Sequence, residues 1–257
     1  MRIGCCINSL DELTAAAAAG FDYAEVPTAA LAAGEPDEAF EDNRRILLDS
    51  PLPVEVFYCF IPSALPLVGP SVDRDALRSY VRNALARAAS VGARLFCFGS
   101  GRARRCPDGF PLDRAESQIA DFLRLCAKEA SPLGSTVGLE HLNPAEVNTV
   151  NTLGRAAELA RDVGSPAIGV VADTYHMLSA GEALAAMADC ADVLLHVHVA
   201  EPDRRPPGTG ETDWAELARV LGRAGYRARV SCECLWDGPL TECGPRVADL
   251  LHTALGS

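Results

Sequence analysis

No stretch of this sequence is long and apolar enough to span a bilayer, and its opening segment, MRIGCCINSLDEL, carries one basic residue and too short an apolar run for a secretory signal. A cytoplasmic protein with no membrane partner is the expectation. Net positive charge is also missing. At −12 the chain is repelled by phosphate backbones, which argues against nucleic acid as a partner. Ten cysteines are present, yet no two are spaced C-x-x-C, so neither a zinc ribbon nor a thioredoxin-type redox site is indicated. A chain of 257 residues builds its own core without disulfides, and Cys5, Cys59, Cys97, Cys232 and Cys234 lie in apolar runs as small hydrophobes. The glycine-rich first turn of a nucleotide-binding open sheet is absent, because RIGCCI is followed by NSLDEL. No linker or low-complexity segment divides the chain, so residues 1–257 read as one domain.

What is there is a repeat of one pattern. Apolar, β-rich runs at 2–7, 22–26, 53–60, 93–98, 136–141, 167–173, 192–200 and 227–233 alternate with helical stretches such as LDELTAAAAA, DALRSYVRNALARAASV and WAELARVLGRA. Gly20, Gly92, Gly134, Gly164 and Gly225 close helical stretches, as left-handed caps would. Eight strand–helix units without a composition break predict a single-domain α/β fold, a (β/α)₈ TIM barrel.

In such a barrel the reacting groups gather at the C-terminal ends of the strands. Strands five to eight each end in a group able to bind a metal: Glu140, Asp173, His198 and Glu233. Each lies in or at the end of an apolar run, where an ionised group is costly unless paired or coordinated. In VSCECLW, alternation turns Glu233 away from Cys232 and Cys234; if the cysteines face the helices, the glutamate faces the barrel mouth. Any one of these could be an isolated polar strand end, but four in succession predict one divalent cation. Three oxygens and one nitrogen suit Mn²⁺ first, then Mg²⁺ or Co²⁺, with Zn²⁺ also compatible.

The segments GLEHLNPAE, VVADTYHM, HVHVAEPDRRPPGTGETDW and SCE resemble the sugar isomerase/epimerase superfamily with a xylose-isomerase-like barrel, and within it ketose 3-epimerases and 3-keto-glycoside epimerases. The resemblance is carried by residues 136–236, and the rest agrees in layout. It implies that Glu140, Asp173, His198 and Glu233 are metal ligands and that Glu140 and Glu233 are also the two carboxylates moving protons on opposite faces of a sugar. It further implies that Glu146 accepts from a substrate hydroxyl and that His176 and Arg204 hold substrate oxygens. The chemistry is coherent: a proton removed beside a carbonyl leaves an enediolate, whose charge a cation stabilises, and a second carboxylate returns a proton from the other side. The implied function is a metal-dependent epimerase or isomerase of a keto sugar or 3-keto-glycoside in carbohydrate metabolism. Alternatives are a lyase on the same intermediate, an inosose-type dehydratase or keto-glycoside deglycosidase, and a DNA-repair endonuclease. The last needs further histidines for a three-metal cluster, and the strand ends at 57–60 and 98 offer none.

Weaker signals complete the reading. His196 shares a face with His198 and reads as a core histidine; His141 alternates away from Glu140 and reads as structural; His252 reads as surface. Glu25, ending the second strand, suits a supporting hydrogen bond. In FGSGRARRCPDGF, one arginine, Arg102, is expected to touch substrate, although Arg102, Arg104 and Arg105 fit an exposed basic loop equally well. Trp214 is expected to pack and Trp236 to face the pocket. A small-molecule carbohydrate is the expected partner, with a homodimer or homotetramer as the assembly.

Overall fold

The computed structural model describes residues 1–256 as a closed, all-parallel eight-stranded barrel in sequential order, sealed where the first strand pairs with the last. The strands are β1 (Arg2–Cys6), β2 (Tyr23–Pro27), β3 (Val54–Tyr58), β4 (Leu95–Phe98), β5 (Thr136–Glu140), β6 (Ile168–Asp173), β7 (Leu194–Val199) and β8 (Arg229–Cys232). Around them run α1 (Leu13–Ala18), α2 (Glu41–Leu48), α3 (Arg74–Ser90), α4 (Leu112–Ala130), α5 (Leu153–Val163), α6 (Thr174–Ser179), α7 (Ala186–Asp189), α8 (Trp214–Arg223) and α9 (Leu240–Leu255). The TIM barrel is therefore observed, and the five glycines expected to close helices all sit at positive φ, between 62° and 90°.

Strand alternation splits the apolar residues into two cores. The outer core lies between barrel and helices: Phe57, Phe96 and Phe98 stack with Phe60 and Phe122, and α4 contributes Ala115, Ile119, Phe122, Leu123 and Cys126 at helical spacing. The inner core is small, formed by Tyr23, Val56, Leu95, Cys97 and Val171. Tyr23 fits there because Gly4 has no side chain; a Cβ at Gly4 would lie 2.2 Å from the Tyr23 ring. All ten cysteines are free. Cys59 departs from the expected small hydrophobe: β3 ends at Tyr58, and the next residue turns to φ 52° and is exposed. No helix among the described residues is long and apolar enough to cross a membrane.

Candidate active site

The inner apolar layer is capped toward the strand C-termini by polar groups. Glu140 and Asp173 are the last residues of β5 and β6, His198 faces inward from β7, and Glu233 follows β8 directly. Pairing sets them at one level: Asp173 is opposite His198, and the Glu233 N–H donates to the Val199 carbonyl at 3.1 Å. The four donors lie within 4.8 Å of one another. Their centre is His198 Nδ1, 2.9 Å from Glu140 Oε1, 3.2 Å from Glu233 Oε2 and 4.0 Å from Asp173 Oδ2. Glu140 needs the space over Gly99, where a Cβ would stand 2.3 Å from its Oε2.

The other face of His198 fixes its orientation. Glu25, fully buried in the middle of β2, accepts from Nε2 of His198 at 2.9 Å and from Nε2 of His196 at 3.0 Å. Burial opposes ionisation of Glu25, but the two imidazoles outweigh it and hold the carboxyl well below the usual range. Glu25 thus orients the ring and leaves Nδ1 for the acid cluster, as carboxylates do behind metal-bound histidines. His196 is spent on Glu25 and Ser231, the buried, bonded role expected of it.

The donor set fits a divalent cation. Burial, then the charges of Glu233 and Glu140, push the Asp173 carboxyl well above its usual range. Burial also opposes a charged His198, yet Glu25 and the surrounding acids hold the ring's proton affinity well above that of free imidazole. Such crowding of buried acids is what a cation relieves. Asp173 Oδ2 is buried with no hydrogen-bond partner, and Glu233 Oε2, also buried, has only ion-pair neighbours in His198 and Arg204, whereas Asp173 Oδ1 is used to cap α6 through the His176 N–H at 3.0 Å.

Beside the acids stands a pair of donors. His176 Nδ1 receives the Asn143 backbone N–H at 3.1 Å and its side-chain amide at 3.0 Å. The amide orientation follows from Asn143 Oδ1, which accepts from the Ala145 N–H at 3.1 Å. Nδ1 is therefore the acceptor and Nε2 carries the hydrogen. Burial, reinforced by Arg204, lowers His176 to about 3, so the ring is neutral. Its Nε2–H then stands 3.0 Å from another donor, Arg204 Nη2, and the pair needs an oxygen to receive both. Arg204 itself is held 3.3 Å from Glu233 Oε2, 3.6 Å from Glu146 Oε1, and over the Tyr175 ring at 4.5 Å. Asp203 and Arg204 both take left-handed φ, 61° and 55°, and this unfavourable backbone is bracketed by the Glu201 N–H donating to the Arg205 carbonyl at 2.9 Å and the Leu235 N–H donating to the Arg204 carbonyl at 2.6 Å, while the buried Glu201 carboxylate accepts from the N–H groups of Gly208 and Thr212 at 3.0 and 3.1 Å.

A cavity of about 480 Å³ opens off the cluster, with Glu140, Glu146, Arg204 and Glu233 in its wall and exposed Arg102 also lining it. Other expectations are corrected. Trp236 does not line this cavity; it is half-buried against Phe21, ring centroids 6.4 Å apart, beside a separate surface hollow, because the chain turns away from the barrel mouth after Glu233. Arg104 is not part of an exposed loop: it is fully buried and donates to the carbonyls of Gly99 at 2.6 Å, Thr149 at 2.6 Å and Glu140 at 2.8 Å. As expected, His141 is buried outside the acid cluster, its ring 6.2 Å from that of His176, and Trp214 packs in the core, whereas His252, expected at the surface, is half-buried and bonds Asp22 at 3.2 Å. Sequence reasoning overlooked Asn143, Tyr175 and Glu201. The signal lay in the quoted motifs, where each directly adjoins or closely follows a strand-end ligand.

The fold and this cluster define a class. The chain belongs to the xylose isomerase-like TIM barrel family, which matches residues 13–252. Among curated relatives, a ketose 3-epimerase of Arthrobacter globiformis is 36% identical over 108 residues, 42% of this chain and 37% of that protein. A 3-dehydro-D-guloside 4-epimerase of Escherichia coli K12 is 32% identical over 123 residues, 48% of this chain and 47% of that one, so the matches span less than half of either relative. A D-psicose 3-epimerase solved in the presence of D-fructose shares the fold at TM-score 0.86, covering 100% of both chains at 19% identity. The chain is thus similar to sugar isomerases and epimerases, and it carries a buried Glu/Asp/His cluster suited to a metal ion.

Proposed function

We propose that the protein is a divalent-metal-dependent epimerase or isomerase of a keto sugar or keto-glycoside. The observation that carries this reading is the convergence of two glutamates, Glu140 and Glu233, on one imidazole nitrogen beside a donor pair that lacks an acceptor. Glu140, Asp173, His198 and Glu233 would hold a cation such as Mn²⁺, which would supply Lewis-acid neutralisation of negative charge developing on the substrate. The chain's own residues do the rest. His176 Nε2–H and the Arg204 guanidinium grip the carbonyl oxygen of a keto sugar and so acidify the C–H of the neighbouring hydroxyl-bearing carbon. One of the two glutamates takes the proton from that neighbouring carbon, the electron pair passing to the carbonyl oxygen as the enediolate forms, and the other glutamate returns a proton to carbon from the opposite side, restoring the carbonyl. Glu146 accepts from a further hydroxyl, and Arg102 contacts the outer part of the substrate from the cavity wall.

The test is turnover in heavy water with Mn²⁺ and candidate keto sugars. Epimerisation or isomerisation returns deuterium at the reacting carbon with total sugar conserved. A dehydrated product with conjugated carbonyl absorbance, or a released aglycone, assigns the chain to lyases instead. No exchange and no product with any keto sugar overturns the reading.

A further inference from the structure

The cavity off the acid cluster has two chemically different walls. The wall on the β5–β8 side carries Glu140, Glu146, Arg204 and Glu233. The wall opposite, on the β2–β3 side of the barrel, is contributed by Pro27 at the end of β2, Ala29 just after it, Ile61 and Pro62 after β3, and Tyr80 of α3. Two polar groups that line it are already committed to the fold. The Tyr58 hydroxyl donates to the Ile7 carbonyl at 3.0 Å, and Ser100 Oγ accepts from the Ile61 N–H at 2.9 Å. A free hexose carries oxygen on every carbon, and pressing its hydroxyls against proline, alanine and isoleucine would strip them of water without replacing the hydrogen bonds. The volume of about 480 Å³ also exceeds what one sugar ring fills and falls among pockets that enclose larger ligands.

We propose that the substrate is a keto-glycoside with an apolar, aromatic aglycone: the sugar ring lies at the acid wall and the aglycone lies against Pro27, Pro62 and Tyr80. This rests on the keto-sugar reading above and adds the part of the molecule that does not react. Aromatic rings suit this wing because a tyrosine ring and two proline faces offer flat contact with few directional demands. Binding energy from the aglycone, remote from the reacting carbon, is available to orient the sugar.

Calorimetric titration of the Mn²⁺-loaded protein with methyl β-D-glucopyranoside, phenyl β-D-glucopyranoside and D-fructose tests this directly, the glycosides serving as unreactive stand-ins. The expected result is phenyl glycoside binding about tenfold or more tightly than methyl glycoside. Ala29→Asp, at an exposed position that leaves packing intact, should remove most of that advantage while methyl glycoside binding stays unchanged; Tyr80→Ser should act the same way. Equal binding of the phenyl and methyl glycosides, or D-fructose as the tightest ligand, overturns the aglycone proposal while leaving a keto-sugar enzyme standing. If none of the three binds and no keto sugar exchanges deuterium, the underlying reading fails with it.

Discussion

Replacing Glu25 by glutamine changes one atom of a side chain outside the proposed Glu140–Asp173–His198–Glu233 metal site and should still disable that site. The carboxylate accepts from two imidazoles at once, His198 Nε2 at 2.9 Å and His196 Nε2 at 3.0 Å. A carboxamide has one acceptor and one donor group, so it can serve one ring only. If the ring left over is His198, its hydrogen moves to Nδ1 and blocks the nitrogen that faces Glu140, Asp173 and Glu233. If it is His196, a buried N–H confronts an N–H, worth about 1–3 kcal/mol of lost stability. Loss of such an orienting partner typically weakens metal binding by about 10- to 100-fold, or roughly 1.4–2.7 kcal/mol. The assay is Mn²⁺ titration of chelator-stripped protein by electron paramagnetic resonance, alongside thermal unfolding. A drop of one to two decades in affinity and a Tm lower by several degrees are expected. Wild-type affinity and Tm in Glu25→Gln would refute the orienting role.

Other perturbations separate chemistry from scaffold. Glu140→Gln and Glu233→Gln should each lower turnover by about 10²-fold or more, the scale of a lost general base or acid, and full activity in either removes that residue from the proton path. Arg104→Lys should destabilise the fold by about 3 kcal/mol or more in urea unfolding, because an ammonium cannot reach the carbonyls of Gly99, Thr149 and Glu140 together; Arg102→Ala should leave unfolding unchanged. Burial lowers His141 to about 4, and burial with Arg204 lowers His176 to about 3. The unfolded chain takes up these protons near pH 6.5 while the folded chain resists them, so stability present above about pH 6.5 is lost as pH falls through 4 and 3. Melting curves against pH should show that slope, and His141→Gln should flatten it; a level Tm from pH 6.5 to about 4 would count against it.

The barrel was legible because its strands and helices carry different periods, and the expected runs overlap all eight observed strands. Boundaries moved where backbone chemistry intervened: the run 53–60 stops at Tyr58 because Cys59 takes a left-handed φ, which no apolar pattern reveals. The acid cluster was legible as well. Alternation placed Glu233 opposite Cys232, and four polar residues at consecutive strand ends have few other reasons to be there. Loops hid the rest. In RARR, nothing in the sequence distinguishes Arg104, folded inward among carbonyls, from exposed Arg102, since the difference is made by the distant carbonyls of Glu140 and Thr149. Trp236 depends likewise on the direction the chain takes after β8, a tertiary matter.

The Glu25 bridge belongs to a longer column along the barrel interior: the Tyr23 hydroxyl bonds Ser231 at 2.8 Å, Ser231 bonds His196 at 3.1 Å, and Glu25 carries the chain on to His198 and Glu140. Its links join β2 to β7 and β8 across separations of 171 to 208 residues. Contacts that distant in sequence form late, after the ring of strands has nearly closed. A fragment containing β5 to β8 alone would hold Glu140, Asp173, His198 and Glu233 yet leave His198 free to rotate. On the proposed function, competence to bind a cation would therefore be acquired at closure, and metal uptake during refolding should report the moment the two ends of the sheet meet.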